Sequence, residues 1–105
     1  MEDYVIATNP DLRNEAFYIE NKTVYHTWQL NPSDKTSWSA AEPLYGTGEN
    51  NKQLTNAVRV EACSDKDGNI QVIAFTTDEK YYICYSTPGK WSGWEEIVQE
   101  KTSQA

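Results

Sequence analysis

Histidine is nearly absent from this chain, which holds one residue at position 26, and cysteine occurs only twice, as Cys63 and Cys84. One imidazole and two distant thiols cannot assemble the three or four ligands of a zinc site. Nor do they supply the base and orienting third group that a protein nucleophile needs. No catalytic residue, metal or other cofactor is therefore expected. Two cysteines in 105 residues make no disulfide framework, and they fall on non-neighbouring strands in the reading below, so both are expected as free thiols. Long apolar runs are missing too: none approaches the ~18 residues of a membrane-spanning helix. The segment Met1–Pro10 is acidic with a short apolar run, so no secretory signal is expected there. The expectation is a cytoplasmic setting or release without such a signal, with the compartment itself left open. Basic residues are scarce: nine Lys and Arg face sixteen Asp and Glu, for a net charge of −7. That balance excludes a nucleic-acid backbone as partner and suits neutral ligands or basic proteins.

Aromatic residues are what the chain has instead. Four Trp, seven Tyr and two Phe sit in a chain that is only 38% hydrophobic. Tyr and Trp carry a polar handle, which suits strands and half-wet binding faces. Alternation dominates and helical periodicity is nearly absent. Val58–Ala62, Asn69–Phe75 and Tyr81–Tyr85 read as strands. The Asp67-Gly68 pair between the first two is a strong hairpin signal. Thr77–Lys80 turns the next corner, and Thr87–Lys90 delivers the chain into Lys90-Trp-Ser-Gly-Trp-Glu-Glu96. Asp65–Asn69 is no calcium loop, because its glycine comes fourth and position twelve is Thr76. The first half reads alike: Tyr4–Ala7, Glu15–Ile19, Thr23–Gln29, Ser37–Ser39 and Glu42–Leu44, broken at Asn9–Asp11, Glu20–Lys22 and Asn31–Asp34. Tyr45–Asn56 is the one long irregular stretch.

The halves can be laid on each other. Val24–Gln29 falls on Tyr81–Ser86 at a shift of 57, and Trp38–Glu42 on Trp91–Glu95 at a shift of 53. A longer third turn in the first half absorbs the difference. Four strands per period of this size is the signature of a β-propeller blade. The fold expected is all-β, with two four-stranded antiparallel blades, residues 1–49 and 50–105, the second ending in a short polar tail. Two blades cannot close a ring, and an open pair leaves faces and edges bare. A closed homo-oligomer is expected.

Tyr25-His26-Thr27-Trp28-Gln29 followed by Trp38-Ser39 resembles the blade repeat of fucose-binding bacterial propeller lectins and their tectonin-type relatives. Asp67-Gly-Asn-Ile-Gln-Val72 and Trp91-Ser-Gly-Trp94 match the same repeat in the second half. The resemblance spans residues ~4 to ~97. It departs at Ile83-Cys84-Tyr85-Ser86 and at Ala41, where the repeat has His-x-Trp-Gln and a second Trp. It implies a carbohydrate-binding, non-enzymatic protein whose sites lie between blades and bind a glycan, fucosylated ones included. It also implies ring closure by three chains of two blades each.

Trp94, Trp91, Trp38, Trp28, Tyr45 and Arg59 are the candidate ligand-binding residues, by indole stacking on a sugar ring and hydrogen bonding to hydroxyls. Glu95 and Glu96 could also reach hydroxyls. Being adjacent on a strand they point to opposite faces, so they cannot act as a glycosidase pair. Trp91 recurs as Trp38 and reads mainly as a packing residue that marks the blade. Trp94 does not recur, and both packing and ligand contact remain open to it. His26 reads as a strand residue of the repeat. A protein-binding module or small acidic inhibitor on the same scaffold is the alternative function.

Overall fold

The computed structural model describes residues 3–87 and 89–99. Pro88, inside the third turn of the second half, and the polar tail from residue 100 onward lie outside the described residues. All regular structure described is β-strand, as the alternation requires. In the first half β1 (Tyr4–Thr8), β2 (Asn14–Glu20) and β3 (Thr23–Asn31) form an antiparallel meander. The free edge of β3 is then covered by two short strands, β4 (Asp34–Trp38) and β5 (Glu42–Pro43). The second half repeats the plan. β6 (Ala57–Ser64), β7 (Ile70–Thr76) and β8 (Tyr81–Thr87) make the meander, and β9 (Lys90–Trp91) and β10 (Glu95–Glu96) share the edge of β8. The result is two four-stranded antiparallel sheets whose outermost strand is interrupted.

The internal repeat extends to individual hydrogen bonds. Phe17 faces His26 across its hairpin as Ile73 faces Ile83, and Gln29 pairs with Trp38 as Ser86 pairs with Trp91. His26 likewise pairs with Glu42 as Ile83 does with Glu95. The shared Trp-Ser has a mechanical cause. Where the outer strand breaks, an amide of the neighbouring strand loses its backbone acceptor. The Ser39 hydroxyl takes the Trp28 N–H at 3.1 Å and donates to the Ala40 carbonyl at 3.0 Å. Ser92 does the same for the Tyr85 N–H at 3.0 Å and the Gly93 carbonyl at 2.8 Å. Each serine thus satisfies a group that a break in a sheet would otherwise orphan.

The turns correspond too. Asn9 N–H bonds Arg13 O as Asp65 N–H bonds Asn69 O, and Leu12 N–H bonds Asn9 O as Gly68 N–H bonds Asp65 O. Gly68 sits at φ 83°, in the left-handed region that costs glycine nothing, and Leu12 is held there at φ 73°.

The sheets stack face to face. Val5, Ala7, Phe17, Ile19 and Val24 of the first meet Val60, Ala62, Ile70, Val72, Ala74, Tyr82 and Cys84 of the second in one core. Leu44 and Leu54 of the linker, the strand-free residues 44–56 between β5 and β6, complete it with Trp94. Opposite faces of the two copies are used. The first sheet offers Phe17 and Ile19, whose counterparts Ile73 and Phe75 lie half-exposed on the outside of the second. The contact is therefore front to back, a heterologous arrangement. The linker, free of strands as expected, runs across the break in the outer strand of the second sheet. Gly93, at φ 83°, lies against Asn50 there, so a Cβ at Gly93 would overlap the Asn50 carbonyl oxygen.

Both cysteines are free, with Cys63 exposed on β6 and Cys84 buried on β8. β7 separates them. Burial pushes the Cys84 thiol up to about 11. No helix among the described residues is long and apolar enough to cross a membrane.

Candidate functional site

A groove of about 450 Å³ opens between the two sheets. The first sheet contributes Glu15 of β2, His26 and Trp28 of β3, and Glu42 and Pro43 of β5, with the Asn9–Arg13 turn at one end. The second contributes Asn69, Ser86, Lys90 and Trp91, and the linker supplies Tyr45 and Thr47. It exists because the sheets stack front to back, so the interrupted outer strand of one rises beside the hairpin end of the other.

Hairpin register explains which side chains meet. The two-residue turn Asn21-Lys22, both at positive φ, sets Glu15 opposite Trp28 and Phe17 opposite His26. Glu15 and His26 thereby become diagonal neighbours on one face, close enough for a direct bond. His26 Nδ1 lies 2.6 Å from Glu15 Oε2, and both residues are almost wholly buried, at 7% and 5% exposed. Asn9 Nδ2 donates to the other Glu15 oxygen at 3.1 Å. The imidazole stacks over Phe17 at 6.2 Å between centroids, meets Trp91 edge to face at 5.8 Å, and leans on Trp28 at 5.0 Å. Aromatic packing of this kind fixes ring orientation.

Polar groups line the rim. Arg13 Nε donates to Asp11 Oδ2 at 2.7 Å, leaving its terminal nitrogens without a protein partner among the described residues. A slight burial penalty on the Asp11 carboxyl is outweighed by the hydrogen bonds and charge of Arg13, which hold it below its ordinary range. Thr47 of the linker clamps the Trp91 backbone: its N–H donates to Trp91 O, and its hydroxyl accepts the Trp91 N–H, both at 3.1 Å. Among the described residues no three His, Cys, Asp or Glu side chains converge on a metal position.

Of the six residues singled out from the sequence, Trp28, Trp91 and Tyr45 line this groove, and Tyr45 is 42% exposed there. The other three lie elsewhere. Trp38 is half-buried on β4, outside the groove, with its Nε1 donating to Lys35 O at 2.9 Å. Arg59 is exposed on β6, 3.7 Å from the Glu61 carboxylate, in a second hollow with Asp3 and Tyr4. Trp94 lies in the core at 4% exposure, its Nε1 donating to Leu44 O at 2.9 Å. No face of that indole is open to a ligand while the linker is in place. Glu95 and Glu96 are exposed on β10, away from the groove lining.

Sequence reasoning missed Arg13, Glu15, Glu42 and the groove side of His26. The Asn-Lys turn fixes a register that puts Glu15 beside His26, so the pair could have been found by folding that hairpin on paper. The approach of Lys90 and Trp91 needed the sheet-to-sheet packing, which no local signal carries. No protein-family model matches the chain and no curated protein matches it, so the groove's own geometry is the ground for a functional reading.

Proposed function

We propose that the chain is a non-enzymatic carbohydrate-binding protein that takes a sugar in the groove between its sheets. The observation that carries this reading is the company the groove keeps: Trp28, Trp91 and Tyr45 line it together with Arg13, His26, Glu42 and Asn69. A pyranose offers an apolar C–H face and a rim of hydroxyls. It is matched by an aromatic wall with donors and acceptors at its edge. Arg13 donates to ring or hydroxyl oxygens, and Glu42 accepts hydroxyl hydrogens. Fucosylated glycans are the first to test, on the blade resemblance.

The same reading has chains assembling. The outer face of the second sheet carries half-exposed Ile73 and Ile83 and exposed Tyr81 and Tyr85. It is the counterpart of the face by which the first sheet packs inside the chain. A front-to-back contact can repeat between chains, and three chains of two blades would close a six-bladed ring. Such a ring multiplies weak sugar contacts into avidity.

A glycan array tests the function, with Tyr45→Ala and Trp28→Ala alongside. Binding to defined glycans that falls at least tenfold in both variants, with circular dichroism unchanged, supports the groove. A silent array, with salt-sensitive capture of one basic protein, would transfer the groove to protein recognition. Light scattering addresses assembly: a mass of three chains is expected, and a stable monomer at micromolar concentration would rule out the ring.

A further inference from the structure

The buried Glu15–His26 pair is a feature of the first sheet alone. At the equivalent places the second sheet has Gln71 and Ile83, opposite Tyr85 and Ile73 in the same register. There they lie on the half-exposed outer face, so the strands pair without a carboxylate or an imidazole at these positions, but in different surroundings. In the first sheet the carboxylate and the imidazole are present and buried, with the imidazole against Phe17 and Trp91. Buried ionisable pairs seldom stabilise more than apolar residues of similar volume.

Glu15 as a carboxylate only accepts, so His26 Nδ1 carries the hydrogen of the 2.6 Å bond. Asn9 holds the second Glu15 oxygen, so the carboxylate cannot swing away. His26 Nε2 has no protein partner among the described residues. No buried side-chain nitrogen or oxygen there is left unpaired, so Nε2 opens on the groove that His26 lines. With the ring neutral that nitrogen is a bare acceptor on a fixed wall, whereas an imidazolium would donate from it.

We propose that His26 is a ligand-binding residue of the groove, its Nε2 accepting a hydroxyl hydrogen from a bound sugar, and that Glu15 is the positioning residue that sets its tautomer. The inference rests on the carbohydrate reading above and deepens it. An acceptor here selects for a group that can donate, such as a sugar hydroxyl, over a carboxylate or phosphate oxygen, which cannot.

The test transplants the second copy into the first. Wild type, Glu15→Gln and the double variant Glu15→Gln/His26→Ile are titrated with the methyl glycosides of fucose, galactose, mannose and N-acetylglucosamine. Thermal midpoints and imidazole ¹⁵N shifts are recorded alongside. Expected are an Nδ1–H tautomer in the wild type and an Nε2 resonance that moves on saturation with the glycoside that binds. Glu15→Gln should mix the tautomers and weaken binding three- to tenfold. The double variant should keep or raise the thermal midpoint and lose binding at least tenfold. Wild-type affinity in the double variant, an Nε2 resonance indifferent to the glycoside, or a midpoint far below wild type would each overturn the assignment. If the double variant binds like wild type, His26 alone is removed and the carbohydrate reading stands. If the wild type binds none of the four, that reading falls and takes His26 with it.

Discussion

Replacing Trp94 separates a packing tryptophan from a stacking one. Its indole is 4% exposed, in the core with Leu44 and Leu54, and its Nε1 donates to Leu44 O across the linker. Trp94→Ala removes the largest side chain of that cluster, and core Trp→Ala changes cost about 3–5 kcal/mol. Total stability for a domain of this size is about 5–15 kcal/mol, so the variant should be left marginal. Trp94→Phe keeps most of the volume but leaves the Leu44 carbonyl without its donor, at about 1–3 kcal/mol. With a urea slope of about 1–3 kcal/mol per molar, the alanine variant should unfold roughly 2 M earlier than wild type. The phenylalanine variant should fall between. Urea titrations followed by far-ultraviolet circular dichroism measure both, and glycan binding is read on whatever stays folded. Trp94→Phe should bind as wild type does. An alanine variant with an unchanged midpoint and abolished binding would refute the packing argument and make Trp94 a ligand residue.

The repeat provides paired controls for the other outcomes. Gly93→Ala forces a side chain into left-handed backbone and against Asn50. It should cost more than ~2 kcal/mol, of which about 1–2 is backbone, whereas Ala40→Gly at the equivalent place, which the linker does not cross, should stay within ~1 kcal/mol. Equal urea midpoints for the two would contradict the linker geometry. Leu12 is 71% exposed at φ 73° where the second copy has Gly68. Leu12→Gly should therefore stabilise by up to ~1 kcal/mol, relief of about 1–2 offset by the entropy of glycine, and a lowered thermal midpoint would count against it. A thiol-specific chromophore should label Cys63 at once in the native protein and Cys84 only on unfolding; two fast thiols would mean that β8 is not packed as described. An unfolded chain releases the Cys84 proton near pH 9.0, and the folded one holds it to about 11. Stability contributed by the protonated thiol is thus intact below pH 9 and lost as pH rises toward 11, by at most ~1.4 kcal/mol per pH unit. Denaturation curves across that window should flatten in Cys84→Ala, and an identical slope in wild type and variant would deny the shift.

Much of the fold was legible because its signals are local. Alternation marks a strand in any context, and Asp67-Gly68 supplies the positive φ its turn needs. The offset repeat was legible for the same reason, since one longer hairpin, with a register shift between Gln29 and Asn31, absorbs the change of frame locally. Tryptophan, by contrast, did not reveal its own placement: Trp28 and Trp91 line the groove, while Trp38 and Trp94 lie outside it. The unrepeated Trp94 left packing and ligand contact both open, because the first copy, which lacks it, has no linker folding over its outer strand. Trp94 and Gly93 differ from Ala41 and Ala40 because only the second break must receive a crossing chain, and that demand arises from tertiary structure. The mirror case is His26. It read as part of the repeat, but the copy without it, Ile83, shows that the strand does not require it. A difference between repeats is informative only after the structure has said which differences packing explains. Packing explains Trp94 and Gly93 by the linker; it seats His26 among Phe17, Trp28 and Trp91 but does not by itself call for an ionisable pair. Glu15 and His26 are where the first sheet carries a buried ionisable pair that the second sheet lacks.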